Sequence, residues 1–120
     1  MNKISKIEDM RKETELPTVM ANEEGLITSV NKSFESIFGW NSNEILGKPL
    51  TIIIPKSLHD AHHLGFSRFL TTKKPTLLSK PLKLKTVNKA GKEFDAEHFI
   101  LAEEEEEGKW VFGATIRPLA

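Results

Sequence analysis

The residues with the most chemical capability are three histidines within a run of five, His59, His62 and His63. A helical pattern covers residues 56–71, and at 100° per residue His62 lies at the centre of an apolar arc. An imidazole on such an inward face needs a partner, because an unpaired polar group is costly to bury. A backbone carbonyl or a metal ion satisfies that need, and the sequence leaves both open. The other members of the arc are Leu58, Gly65, Phe66 and Phe69.

Two other chemistries near the histidines have weaker sequence support. His59 and His63 have the i, i+4 spacing of a zinc-binding pair, with Asp60 nearby, but no third fixed ligand and no His-Glu-x-x-His arrangement accompany them. His98 alternates with apolar residues on a predicted strand and is interpreted as a satisfied sheet histidine, with the pocket as its alternative position. The chain has no recognisable nucleophile motif or phosphate-binding glycine loop. We therefore predict that it is not an enzyme.

Composition bounds the class of protein. The chain has 120 residues, of which 38% are hydrophobic and 28% are charged, as in one globular domain. Its 17 basic and 17 acidic residues cancel, which argues against nucleic-acid and membrane-surface partners. Cysteine is absent, so disulfides and thiolate sites are excluded. Because apolar runs such as residues 52–54 are far too short to span a bilayer and no signal peptide is evident, we predict a cytoplasmic location.

An amphipathic helix is predicted near the N-terminus. Ile4, Ile7 and Met10 recur at helical spacing among charged residues within positions 2–15. A stripe this narrow packs either on a partner helix or on the domain's own sheet, and the sequence does not decide between them. We interpret residues 1–15 as a helical cap and residues 16–120 as the domain.

The remaining pattern predicts an α+β domain with a five-stranded antiparallel sheet and short helices on one face. Two strands come first, helices follow, and three hairpin-connected strands end the chain. Asn31 is predicted to cap the first short helix, and Ser42 or Asn43 the second. This order predicts a pocket between the longest helix and the sheet. The predicted strands cover residues 17–21, 26–30, 76–87, 93–102 and 110–117, and residues 103–107 are predicted to form an acidic loop.

The ordered motifs of the chain resemble those of PAS domains. The segment Gly25-Leu-Ile-Thr-Ser-Val-Asn-Lys-Ser-Phe34 is similar to the signature G-x-I-x-x-x-N-x-x-F, and Asn88-Lys-Ala-Gly-Lys-Glu-Phe94 is similar to a hairpin of that family. The resemblance runs from about residue 16 to residue 118. It implies a sensory signal-input domain that binds a small molecule, forms a homodimer and serves an output domain such as a histidine kinase or a cyclase.

The longest helix also resembles its counterpart in the heme-binding PAS domains of oxygen-sensing histidine kinases. In those domains a histidine coordinates the iron and an arginine six residues later helps to hold the heme propionates. His62 and Arg68 stand at that spacing here. A neutral imidazole suits iron and a guanidinium suits a carboxylate, so heme b is the candidate cofactor and His62 the candidate metal ligand.

The same resemblance implies the rest of a heme pocket. Phe66 and Phe69 would line the ring, and Gly65 would allow its close approach to the helix. Leu82 stands where the oxygen sensors carry a distal arginine, so carbon monoxide, nitric oxide or a sixth protein ligand suits this site better than oxygen. PAS domains without heme carry a similar helix, and the alternative is a cofactor-free module for dimerisation or protein–protein interaction. A flavin–cysteine adduct is excluded because cysteine is absent, whereas a noncovalently bound flavin stays open as an alternative.

Overall fold

The computed structural model describes residues 4–72 and 80–119, which form a five-stranded antiparallel sheet with short helices. The strands are β1 (Thr18–Asn22), β2 (Ile27–Val30), β3 (Leu82–Val87), β4 (Glu93–Glu106) and β5 (Lys109–Pro118). They lie in the order β2-β1-β5-β4-β3. The predicted fold class is confirmed. The helices are α1 (Ile7–Lys12), α2 (Lys32–Phe38), α3 (Ser42–Ile45) and α4 (His59–Thr72), with 3-10 turns at Leu50–Ile53 and Lys56–Leu58.

The main core lies between the sheet and α2 and α3, on the side that we call the inner face. Phe34 and Phe38 of α2 are fully buried, and their stacked ring centroids are 4.3 Å apart. Ala96 of β4 and Ile116 of β5 are fully buried in the same cluster. Because side chains alternate along a strand, every second residue of β4 and β5 shares this face. Burial of these large apolar side chains is the main stabilising term for the domain.

Asn31 connects the start of α2 to the segment that follows α1. Its side-chain Oδ1 accepts hydrogen bonds from the backbone N–H groups of Phe34, at 2.9 Å, and Thr18, at 3.0 Å. Its Nδ2 donates to the backbone carbonyls of Glu13, at 3.0 Å, and Leu16, at 2.8 Å. The predicted cap is therefore confirmed, and the same side chain also fixes a distant piece of backbone.

The second predicted cap is wrong, because α3 is capped by Asn41 and not by Ser42 or Asn43. The Asn41 side chain accepts a hydrogen bond from the backbone N–H of Glu44 at 2.9 Å. The Glu44 carboxylate accepts one in return from the N–H of Asn41 at 3.1 Å. This reciprocal pair is a capping box, and the spacing Asn-x-x-Glu in the sequence is its signal.

Helix α1 packs on the opposite side of the sheet, which we call the outer face. Ile7 and Met10 are buried there, with Met20 of β1 and Leu101 of β4. The sequence left open whether the apolar stripe of this helix packs on a partner helix or on the domain's own sheet. In the structure it packs on the domain's own sheet. The helix is shorter than the pattern in residues 2–15 suggested.

The acidic loop predicted at residues 103–107 is wrong, because β4 extends through most of it and pairs with β5. Alternate glutamates on a strand point to opposite faces, which separates their charges. Two of them contact α1. The backbone N–H of Ile7 donates to the Glu103 carboxylate at 2.9 Å, and Arg11 forms an ion pair with Glu105 at 2.7 Å. The N–H of Ile7 and the guanidinium of Arg11, both in α1, thus offset the negative charge of these two carboxylates.

Two predicted boundaries also differ from the structure. The helical pattern at residues 56–71 begins as a 3-10 turn and becomes α4 at His59. The third predicted strand, residues 76–87, lies partly outside the described residues, and within them β3 begins at Leu82, directly after Pro81. A proline cannot donate to a sheet ladder, which accounts for a strand that begins after it.

Candidate functional site

The apolar arc of α4 packs against the inner face of the sheet. The ring centroid of Phe66 is 4.7 Å from that of Phe112 on β5. The ring of Phe69 lies 5.3 Å from Phe112 and 5.1 Å from Trp110, in edge-on arrangements. Such edge-on and tilted contacts are favoured between aromatic rings. Four rings therefore hold this part of α4 on β5, with His62 one turn earlier on the helix.

His62 is half-buried, and its ring stacks on Phe66 with centroids 5.9 Å apart and planes 25° apart. Burial lowers the pKa of His62 below its ordinary value of 6.5, and the neighbouring His63 and His59 lower it further. The imidazole is consequently neutral at pH 7. A neutral imidazole keeps one nitrogen lone pair, which is what a metal or a hydrogen-bond donor binds.

The two flanking histidines have different environments. The Nε2 atom of His59 lies 2.7 Å from the carbonyl oxygen of Ile54 and 3.1 Å from that of Thr51, which ties the start of α4 to the preceding turn. His63 is exposed. Within the residues that the structure describes, no three histidine, cysteine, aspartate or glutamate side chains are grouped so as to hold a metal ion. The His59–His63 pair thus gains no third ligand there.

His98 and Leu82 lie side by side across two strands of the sheet. His98 is buried on β4, opposite Leu82 of β3 and Ile116 of β5. Its Nδ1 lies 3.2 Å from the carbonyl oxygen of Ala96, which can accept a hydrogen bond from it. Burial lowers the pKa of His98, and the bond to Ala96 acts in the opposite sense. A neutral ring that donates through Nδ1 keeps its lone pair on Nε2.

Gly65 and Arg68 lie on the exposed part of α4. The sequence pattern places Gly65 within the apolar arc, but the contacts of α4 with the sheet are made by Phe66 and Phe69 instead. A Cβ atom built on Gly65 would meet nothing within 4 Å. Gly65 therefore borders the aromatic contact and adds no side chain to it.

The imidazole of His62 suits heme iron, but aromatic side chains occupy the space between α4 and β5. His62 offers a half-buried, neutral imidazole, which is the ordinary axial ligand of a heme. The Phe66 ring, however, lies against both His62 and Phe112. A flat ring could lie beside His62 only if the Phe66 ring turned aside.

A separate open groove lies between the end of α2 and the β3–β4 hairpin, with a volume of about 550 Å³. No pattern in the sequence indicated this groove. Lys89 crosses this region, where its backbone N–H donates to the carbonyl of Phe38 and its ammonium group pairs with Glu44 and lies 5.3 Å from the Trp40 ring. These contacts join the hairpin to α2. The groove is lined by Ser36, Ile37, Phe38, Gly39, Asn88, Lys89 and Ala90.

The stability of the domain is expected to fall as the pH drops below about 6.5, the ordinary pKa of histidine. Burial lowers the pKa of His62 and His98 in the folded state, so the unfolded chain binds protons first. The free energy of unfolding, measured in urea at about pH 7.5 and about pH 5.5, should therefore be lower at the acidic value. His62→Gln should weaken this dependence, whereas His63→Gln, at an exposed position, should keep most of it. Equal pH dependence in both variants would contradict the assignment to His62.

The family model for the PAS domain matches residues 15–117. The chain belongs to the PAS domain family. The resemblance of the motifs between Gly25 and Phe94 is thereby confirmed, and the family's general role is sensory signal input. No helix in the described part of this PAS domain is long and apolar enough to cross a membrane.

Three known proteins are similar to this PAS domain in sequence or in structure. An uncharacterized protein of Azorhizobium caulinodans is 30% identical over 103 residues, which are 85% of this chain and only 14% of that protein. The PAS domain of a Colwellia psychrerythraea protein superposes with a TM-score of 0.72 at 13% identity, over 94% of this chain and 96% of that one. A LOV protein of Rhodobacter sphaeroides gives a TM-score of 0.67 at 14% identity, over 95% of this chain and 66% of that one. At these identities the two structures show a shared fold.

Proposed function

We propose that this PAS domain is a signal-input module, without catalysis of its own, that binds a small flat ligand between α4 and the inner face of the sheet. Heme b is the candidate ligand, for gas or redox sensing. The observation that carries the proposal is the half-buried, neutral His62 on the sheet-facing side of α4. Burying an imidazole in an aromatic environment costs free energy, and a ligand that binds its lone pair offsets that cost.

His62, Phe66 and Phe69 form the inner part of the proposed site. His62 supplies the lone pair for iron because burial keeps its ring neutral. Phe69 keeps its edge-on contact with Trp110, while the Phe66 ring turns away from Phe112 to admit the ligand. Bound heme would supply an iron centre that takes a gas ligand or changes its oxidation state.

Arg68, Gly65 and Leu82 form the outer part of the same proposed site. Arg68 is exposed, and its guanidinium suits carboxylates that remain at the rim of a pocket. Gly65 carries no side chain that would obstruct the helix surface. Leu82 is half-buried beside His98 and offers an apolar surface with no hydrogen bond for oxygen, so carbon monoxide or nitric oxide is the gas that this site suits.

The sheet offers a short route from the proposed site to α1. Phe112, which contacts Phe66 and Phe69, is followed along β5 by Gly113, whose backbone lies under Ile7 and Met10 on the outer face. A ligand that displaces the ring of Phe66 changes the packing at Phe112 and hence the surface on which α1 rests. We infer that α1 passes the signal on to an output domain, in a homodimer joined to a histidine kinase or a cyclase.

A cofactor-free interaction module is the second candidate, and one observation favours it. The rings of Phe66, Phe69, Phe112 and Trp110 already pack against one another in the space between α4 and β5. A ligand would have to replace part of this contact. In this alternative the aromatic cluster serves only as core, and the domain acts through dimerisation or protein–protein contacts.

A hemin titration followed by visible absorption separates the two candidates. We expect wild-type protein to bind hemin, and Phe66→Ala to bind it about tenfold more tightly, since about 1.4 kcal/mol is no longer spent on displacing the ring. His62→Ala should lose the Soret spectrum of a histidine-ligated heme. His63→Ala is the matched control, because it removes an exposed histidine one position away. No hemin binding by wild type or Phe66→Ala, or identical spectra for His62→Ala and His63→Ala, would favour the cofactor-free module.

A further inference from the structure

The run of five glutamates at residues 103–107 contacts α1 at both ends of that helix. The Glu103 carboxylate accepts a hydrogen bond from the backbone N–H of Ile7, which is otherwise an unpaired donor in the first turn. One turn later, the Glu105 carboxylate pairs with the guanidinium of Arg11 at 2.7 Å. Glu103 and Glu105 lie two residues apart on β4, on either side of the start of a register shift between Glu104 and Glu106, and their contacts with Ile7 and Arg11 place both carboxylates at α1 on the outer face.

Glu104 and Glu106, two other members of the run, have different partners within the same hairpin. The Glu104 carboxylate accepts a hydrogen bond from the N–H of Gly108, and Glu106 lies 3.7 Å from Lys109. Glu103 and Glu105 therefore contact α1, whereas Glu104 and Glu106 contact residues at the β4–β5 turn. A solvated acidic segment without such a role would have no reason to place two carboxylates at opposite ends of one helix.

Helix α1 has six residues and is too short to remain helical on its own. Docking on the sheet and folding of the helix are therefore a single event. The apolar contacts of Ile7 and Met10 with the sheet supply the middle of the interface, and the carboxylates supply its ends. The Arg11 and Glu105 side chains are 42% and 36% exposed, so dissolved ions and competing cationic groups can reach the pair.

We propose that Glu103 and Glu105 form a carboxylate clasp that makes α1 a releasable strap on the outer face of the sheet. The strap is docked while the carboxylates hold the N-terminus of α1 and Arg11. It opens when salt screens them or a cationic group competes for them, and opening unfolds α1. The contacts that form the clasp lie on the outer face, away from His62, and the proposal does not rest on a ligand there.

Hydrogen exchange of the backbone amides at residues 7–12 tests the clasp. Reversing one charge with Glu105→Lys should speed exchange there roughly fivefold at low salt, the factor expected when an exposed ion pair is replaced by repulsion. The double variant Arg11→Glu with Glu105→Lys should restore most of the protection, because it rebuilds the pair with opposite signs. Raising the salt to about 1 M should speed exchange in wild type and have less effect on Glu105→Lys.

Glu107→Lys is the matched control, since it makes the same charge change in the same run without removing a contact to α1. Exchange in the interior of β4 and β5 shows whether each variant is folded and should stay at the wild-type rate. Equal exchange at residues 7–12 in Glu105→Lys and Glu107→Lys would overturn the proposal. Failure of the double variant to restore protection would do the same.

Discussion

Replacing Asn31 with alanine should lower the free energy of unfolding by about 3 kcal/mol. The side chain caps α2 through Phe34, receives the N–H of Thr18 and donates to the carbonyls of Glu13 and Leu16. Loss of a cap alone costs about 1 kcal/mol, and part-buried backbone groups that lose their partners add to it. Urea denaturation of the purified variant measures the change directly.

Asn41→Ala is the matched control for this prediction. Asn41 caps α3 in the same way, through the N–H of Glu44, but it is exposed and holds no distant segment. Its replacement should cost about 1 kcal/mol, as is usual for a single cap. If the two variants were equally destabilised, the contacts of Asn31 with Glu13, Leu16 and Thr18 would contribute nothing measurable, and its role as a connector would be wrong.

Replacing Gly113 with alanine should displace α1 and destabilise the domain by about 1–3 kcal/mol, the usual cost of overpacking. The added methyl group would lie 2.7 Å from the Met10 sulfur, 2.9 Å from the Met20 sulfur and 3.1 Å from Cδ1 of Ile7. The two sulfur distances are shorter than van der Waals contact, so the side chains of Met10 and Met20 must shift, and we expect α1 to move with Met10. Urea denaturation gives the stability, and hydrogen exchange at residues 7–12 reports the position of α1.

Gly65→Ala is the control for that substitution. A methyl group at Gly65 meets nothing within 4 Å, and the residue lies in the interior of α4, where alanine is about 1 kcal/mol more favourable than glycine. The control should therefore be stabilised slightly and keep normal exchange at residues 7–12. Normal exchange there in Gly113→Ala as well would contradict the close packing of α1 on β5.

Much of the fold could be predicted because its signals are local. Asn31, the glycine of the β1–β2 turn and the apolar spacing of α2 act over a few residues, and each worked as predicted. The glutamate run could not be predicted in the same way. Its strand conformation comes from pairing with β5, and its partners on α1, Ile7 and Arg11, are about a hundred residues away along the chain, where the sequence left their docking open.

The candidate site was predictable in part for the same reason. Helical spacing placed His62, Phe66 and Phe69 on one side of α4, and the ring contacts of the two phenylalanines agree with it. The partners on the other side, Phe112 and Trp110, lie on a strand at the far end of the chain, and no local pattern links them to α4. The local sequence of α4 therefore could not show that aromatic rings of β5 pack in the space where a pocket was predicted.

Hydrogen exchange of the wild-type protein with and without hemin reports both ligand binding beside His62 and the connection of that site to α1. We predict slower exchange at residues 59–71 of α4 and a changed rate at residues 7–12 when hemin is bound. An unchanged exchange pattern would contradict the account. So would protection confined to residues 36–39 and 88–90, which line the separate groove beside α2.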